Sequence, residues 1–199
     1  GGQKLIELGA NDTNDILLGQ DGAPVARTDY DDKSGRWSLR MRGEGGWREA
    51  RAVEAKIDRP YLVGLGRDGR SVLIAEQEAT GYLLREVSPD RAVGEPLDVG
   101  DAEGVVFDPE TQRLIGLYAL VGDEGRYSFF DERDQKAWNA VKAAFKGDRV
   151  RLESWTNDRR KIVVLVDSAT EGPGYAIVDL GARKAEWLGA QYQKLMPEH

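Results

Sequence analysis

The feature that most constrains this chain is a repeat built around a turn aspartate. Ile16-Leu17-Leu18, a turn at Gln20-Asp21-Gly22 and Val25-Ala26-Arg27 are matched by Leu62-Val63-Gly64, Arg67-Asp68-Gly69 and Val72-Leu73-Ile74. The same order returns in Val105-Val106-Phe107, Asp108-Pro109-Glu110 and Leu114-Ile115-Gly116, and again in Leu152-Glu153-Ser154-Trp155, Asn157-Asp158-Arg159 and Ile162-Val163-Val164. Each unit reads as strand, tight turn, strand. The aspartates recur at intervals of about 40 to 50 residues, near the period of a four-stranded propeller blade. Asp suits the turn because its carboxylate bonds the backbone two residues on. The 24 glycines fall between short apolar runs, the punctuation of many short strands.

Outer strands complete the units. They are expected at Trp37 to Met41 and Trp47 to Val53, at Tyr82 to Val87 and Val93 to Leu97, and at Tyr175 to Asp179 and Lys184 to Leu188. The third unit departs from this after Tyr127-Ser128-Phe129-Phe130. There Trp138, Val141 and Phe145 recur at helical steps beside Ala137, Ala140 and Ala144, with Asp131 placed to cap the start and Gly147 to end it. The expectation is an all-β fold: a β-propeller segment of four blades of antiparallel strands with one inserted helix. The blades span about 15–55, 60–98, 103–147 and 150–190 of one partial propeller domain over residues 1–199.

Composition narrows the function. Lys and Arg number 28 against 35 Asp and Glu, a net charge of -7, and the bases are scattered, which argues against a nucleic-acid surface. No apolar run approaches the roughly 20 residues of a membrane span. Without cysteine there is no thiolate nucleophile or zinc site, and the compartment stays open between periplasm and cytoplasm. The chain begins Gly1-Gly2 with neither an initiator Met nor a leader, as a processed or cloned piece would.

Several segments carry candidate chemistry, and each has a plainer reading. Gly64-Leu65-Gly66-Arg67-Asp68-Gly69 satisfies a dinucleotide fingerprint, but that motif must open a helix, and Ser71-Val72-Leu73-Ile74 align with a repeat strand instead. The serines at 34, 38, 71, 88, 128, 154 and 168 lack a G-x-S-x-G elbow, and the only histidine is His199, the last residue. A serine triad therefore cannot be assembled from this chain. Asp29, Asp31 and Asp32 fail the calcium-loop template, with Lys33 and Ser34 at the wrong places, and read as a solvated hairpin tip. Asn11, Asp12, Asn14 and Asp15 form a second acidic cluster, and Asn11-Asp12-Thr13 is also a glycosylation sequon. Glu76 and Glu78 share a strand face, expected to be solvent-facing. Of the tryptophans Trp37, Trp47, Trp138, Trp155 and Trp187, three are read at comparable strand positions of separate blades, where packing is a simpler account than a ligand platform. No catalytic, cofactor-binding or metal-binding residue is assigned, and no cofactor is expected.

The chain resembles the propeller of the prolyl oligopeptidase family of serine peptidases, in its bacterial acylaminoacyl and dipeptidyl peptidase-like form. Ile16 to Gly22 with Trp37-Ser38-Leu39-Arg40 carry the resemblance, and above all the stretch from Asp134 to Leu195. Within it Ala143-Ala144-Phe145-Lys146-Gly147 leads into Val150 to Arg160, then Val164 to Ser168 and Gly172 to Asp179. The resemblance implies a propeller that gates peptide access to an α/β-hydrolase domain supplying the Ser, Asp and His, so the implied partners are that domain and a peptide substrate. A free-standing propeller that binds a protein partner is the alternative. Terminal blades are expected to leave apolar faces, around Val25 and Leu39 at one end and Ile162, Val164 and Ile177 at the other, so that the piece either self-associates through them or forms an open, strained arc.

Overall fold

The repeat turns all close on the same hydrogen bond. In the computed structural model, which describes residues 9–79, 81–170 and 172–192, each turn aspartate accepts the backbone N–H two residues on. Ala23 donates to Asp21 at 2.9 Å, Arg70 to Asp68 at 2.9 Å, Glu110 to Asp108 at 3.1 Å and Arg160 to Asp158 at 3.0 Å. In three of the turns a backbone bond spanning three residues also closes the loop, from Gly22 to Gly19, Gly69 to Gly66 and Arg159 to Thr156. The donor residues lie in the left-handed region, at φ 75°, 70° and 57° respectively. Glycine reaches that region without a steric penalty, and arginine does not.

From these turns the chain builds four antiparallel sheets, each in simple up-and-down order. The first comprises β1 (Thr13–Leu18), β2 (Pro24–Asp31), β3 (Arg36–Gly43) and β4 (Gly46–Glu54). The second comprises β5 (Tyr61–Leu65), β6 (Val72–Glu78), β7 (Gly81–Val87) and β8 (Val93–Pro96). In the third, β9 (Gly104–Phe107), β10 (Leu114–Val121) and β11 (Glu124–Phe129) are followed by helix α1 (Glu132–Ala144) where the other units have a fourth strand. The fourth comprises β12 (Arg149–Trp155), β13 (Lys161–Ser168), β14 (Gly172–Asp179) and β15 (Lys184–Ala190). This is the meander of a propeller blade, repeated. Over the described residues the chain is all-β with one inserted helix.

The first two sheets, with residues 111–114, form one compact unit, and the last two sheets with α1 form another. In the first unit Ala26, Trp37, Leu39 and Met41 pack with Val72, Ile74 and Val87. In the second, Ile115, Phe129, Trp155, Ile162 and Val164 pack with Trp138 and Val141 of α1. A helix of 13 residues is marginal by itself in water. Burying Trp138 and Val141, each side chain contributing roughly 1.5–3 kcal/mol, holds it down. Asp131 caps its start by accepting the Arg133 N–H at 2.7 Å.

Two expectations about packing need correction. Leu39, Ile162 and Val164 are fully buried rather than facing outward. Side chains alternate along a strand, so Val25 lies on the opposite face from Ala26, and Ile177, paired with Val163, lies opposite Val164. Grouping Val25 with Leu39, or Ile177 with Ile162, mixes the two faces of a sheet. The tryptophans do not sit at comparable positions either. Trp37 starts the third strand of its sheet and Trp155 ends the first strand of another, so only Trp47 and Trp187, on the outermost strands β4 and β15, correspond. Among the described residues no helix is long and apolar enough to cross a membrane.

Candidate functional site

Polar structure in the second unit concentrates beside helix α1. Asp134, in its first turn, is buried and meets Arg159, which the β12–β13 turn aims inward, with Nε to Oδ1 at 2.9 Å. The same guanidinium donates to Asp108 at 2.8 Å. Trp155 donates its indole N–H to that Asp108 carboxylate at 3.2 Å, and the guanidinium lies 4.1 Å from the Trp155 ring centroid. Burial works against the Arg159 charge, but the two carboxylates outweigh it and hold the group above its ordinary pKa. The cluster ties two repeat turns to the helix. It contains no nucleophile.

Next to it lies a groove of about 760 Å³, within the range of ligand-sized sites. Its floor is the alanine face of α1, Ala137, Ala140 and Ala144, and its far wall is the segment from Val178 to Ala185 that turns β14 into β15. Arg133, Lys136, Arg160, Arg183 and Lys184 stand around the rim, with Asp158 and Asp179 as the acids. Arg133 is tied to the Asp158 carbonyl at 2.5 Å and Lys136 to Glu132 at 2.9 Å. This arrangement can hold an extended or elongated anion.

No family model matches the chain, and no curated protein sequence does. Among solved structures it is similar to a puromycin-hydrolysing peptidase of Mycobacterium tuberculosis, at 15% identity and a TM-score of 0.43, over 97% of this chain and 31% of that one. It is also similar to TolB from Acinetobacter baumannii, at 10% identity and a TM-score of 0.37, over 87% of this chain and 40% of that one. The chain thus spans less than half the length of either. Neither likeness bears on activity.

The residues singled out from the sequence disperse when placed in the fold. Gly64 to Gly69 close the β5–β6 hairpin, as the repeat alignment required, and Val72 begins a strand rather than a helix. A Cβ at Gly66 would lie 2.1 Å from the Ser71 hydroxyl and 2.9 Å from the Glu86 carboxylate, so a larger residue there would have to displace both. Ser71 donates to Asp68 at 2.6 Å, Ser34 to Asp31 at 2.9 Å, and Ser168 is within 3.2 Å of the Thr170 hydroxyl. The described residues contain no histidine, and His199 lies outside them.

The acids divide. Asp31 and Asp32 are at an exposed tip, but Asp29 is buried on β2, accepts the Thr13 hydroxyl at 2.9 Å and pairs with Arg40 at 2.9 Å. Glu76 also departs from expectation. It is 6% exposed and held by Arg51 at 2.9 Å and Arg85 at 3.3 Å, while Glu78 on the same face is exposed and shares Arg85. Glu76 is thus closed off by arginines from β4 and β7, whereas Glu78 is solvent-facing as expected. Among the described residues no group of three or more His, Cys, Asp and Glu side chains gathers as a metal site would require. Trp37, Trp138 and Trp155 are core, Trp47 lies under Arg27 and Arg42, and Trp187 covers Gly174.

Reading residues alone missed Arg159. Its signal was nonetheless present, in an arginine standing where the matching turns carry Gly22 and Gly69.

Proposed function

We propose that the chain is a non-catalytic propeller segment of a serine peptidase of the prolyl oligopeptidase family, gating peptide access to a hydrolase domain that lies elsewhere in the parent protein. The observation that carries this reading is the region from Asp134 to Tyr192. Helix α1 ends at Ala144 and a short turn leads into a complete four-stranded meander, β12 to β15, which is the order the family resemblance implies for the last blades before the hydrolase domain. The role in this reading is steric. A fluorophosphonate probe and p-nitrophenyl esters should leave the isolated chain unlabelled and inert. Stoichiometric labelling of one serine would refute the assignment. The parent reading frame should carry a G-x-S-x-G elbow followed by an Asp and a His. A frame without them leaves the free-standing binding propeller as the reading, which the basic groove beside α1 already favours.

A further inference from the structure

The groove between α1 and the β14–β15 turn combines a floor without bulk and a rim on which bases outnumber acids, and no other described element of the second unit fills it. Ala140 and Ala144 are exposed, so the face that a surface helix usually covers with long polar side chains is bare. Five rim bases face two acids, in a chain whose net charge is -7. One base, Arg183, has no ion pair among the described residues and is held at φ 53° at the tip of the turn. Lys184 has Glu186 beside it, but both are exposed, and such a pair contributes little and exchanges readily. Along α1 the floor runs from Arg133 to Ala144, about 16 Å at the helical rise. That length suits an extended peptide of about five residues.

We infer that this groove is a docking site for a short, extended acidic peptide segment of a partner, its small side chains on the alanine floor and its carboxylates at Arg160, Arg183 and Lys184. Charge complementarity selects the acidic occupant: the rim repels basic segments and orients acidic ones. Peptide is favoured over nucleic acid because the groove has no aromatic side chain on which a base could stack. Extended main chain also fits a shallow floor of methyl groups. The inference goes beyond the gating role and does not depend on it, because the groove is built wholly within the second unit.

The test is fluorescence anisotropy with three labelled probes: a hexapeptide of alternating Glu and Ala, its Gln–Ala counterpart, and an oligothymidine of equal charge. The Glu–Ala peptide should bind saturably and weaken as salt rises from about 0.02 to 0.3 M, since rim charges are screened over that range. The Gln–Ala peptide should bind at least about tenfold more weakly. R183E/K184E should lower affinity by a similar factor through charge, and A140W should abolish binding by filling the floor with every charge kept. Both changes are at exposed positions, and circular dichroism verifies that each variant remains folded. Failure of the Glu–Ala peptide to bind overturns the inference, as does an A140W variant that binds normally. Equal binding of oligothymidine replaces it with a non-selective polyanion surface. None of these outcomes bears on whether the parent frame carries a hydrolase domain, so the two readings fail separately.

Discussion

Arg159 stands at φ 57°, where the equivalent turn residues are Gly22 at 75° and Gly69 at 70°. Left-handed backbone costs a non-glycine residue about 1 kcal/mol. The structure tolerates it because the side chain bridges the buried Asp108 and Asp134, at 2.8 and 2.9 Å. Removing one partner of a buried ionic group leaves the others uncompensated, at a cost of about 3–5 kcal/mol, which exceeds the strain relieved. R159G, which restores the glycine of the repeat, should therefore lower unfolding free energy by about 2–4 kcal/mol, the difference of those two estimates. Urea denaturation followed by tryptophan fluorescence measures it. A neutral or stabilising R159G would mean that the cluster contributes nothing to the fold.

Hairpin turns are the elements on which the repeat depends, and their aspartates make stability sensitive to acid. Burial pushes the Asp68 carboxyl upward, but the Ser71 hydroxyl and the Ser71 and Arg70 N–H groups outweigh it and hold the group below the ordinary carboxylate range. The Thr156 hydroxyl and the Arg160 N–H do the same for Asp158, and the Lys33 N–H and the Ser34 hydroxyl for Asp31. A carboxyl whose pKa is lower folded than unfolded stabilises the fold fully above its unfolded value of about 3.9. That stability is lost as pH falls through the lowered folded value. Melting temperature should accordingly decline below about pH 4, and D68N, which cannot titrate at the turn, should be less stable than the parent at neutral pH. The gap between the two should close as pH falls. A gap that stays constant down to pH about 2 would show that the turn does not lower the pKa of Asp68 below its unfolded value.

For the whole chain, the face that the fourth sheet turns away from its core is the remaining liability. Val163 pairs with Ile177 and Leu165 with Tyr175 on that face, and all four are partly exposed. Apolar sheet faces of this kind tend to acquire a partner. Sedimentation equilibrium at micromolar concentration should find reversible self-association that L165E weakens, because a carboxylate buried in such a contact has no counter-charge. A parent chain that is monomeric throughout the range would show that the face is stable in water as it stands.

How much was legible in advance follows from the range of the interactions concerned. Strand order, the hairpin at Gly64 to Gly69 and the helix from Asp131 were readable because they rest on local rules: an aspartate bonding two residues on, an alternation of period two, a cap and a stop. Those same rules say nothing of what lies across a sheet or at the next turn. Asp29 and Glu76 were placed in solvent, and Val164 on an open face, because their burial depends on Arg40, Arg51 and α1, which approach only in the folded chain. Arg159 joins aspartates 51 and 25 residues away. By itself the sequence determined the repeat, its hairpin turns and the place of the helix. Only tertiary structure decided which acids are buried and that an alanine face of α1 meets a basic turn, because desolvation and charge pairing are set by neighbours distant in the chain.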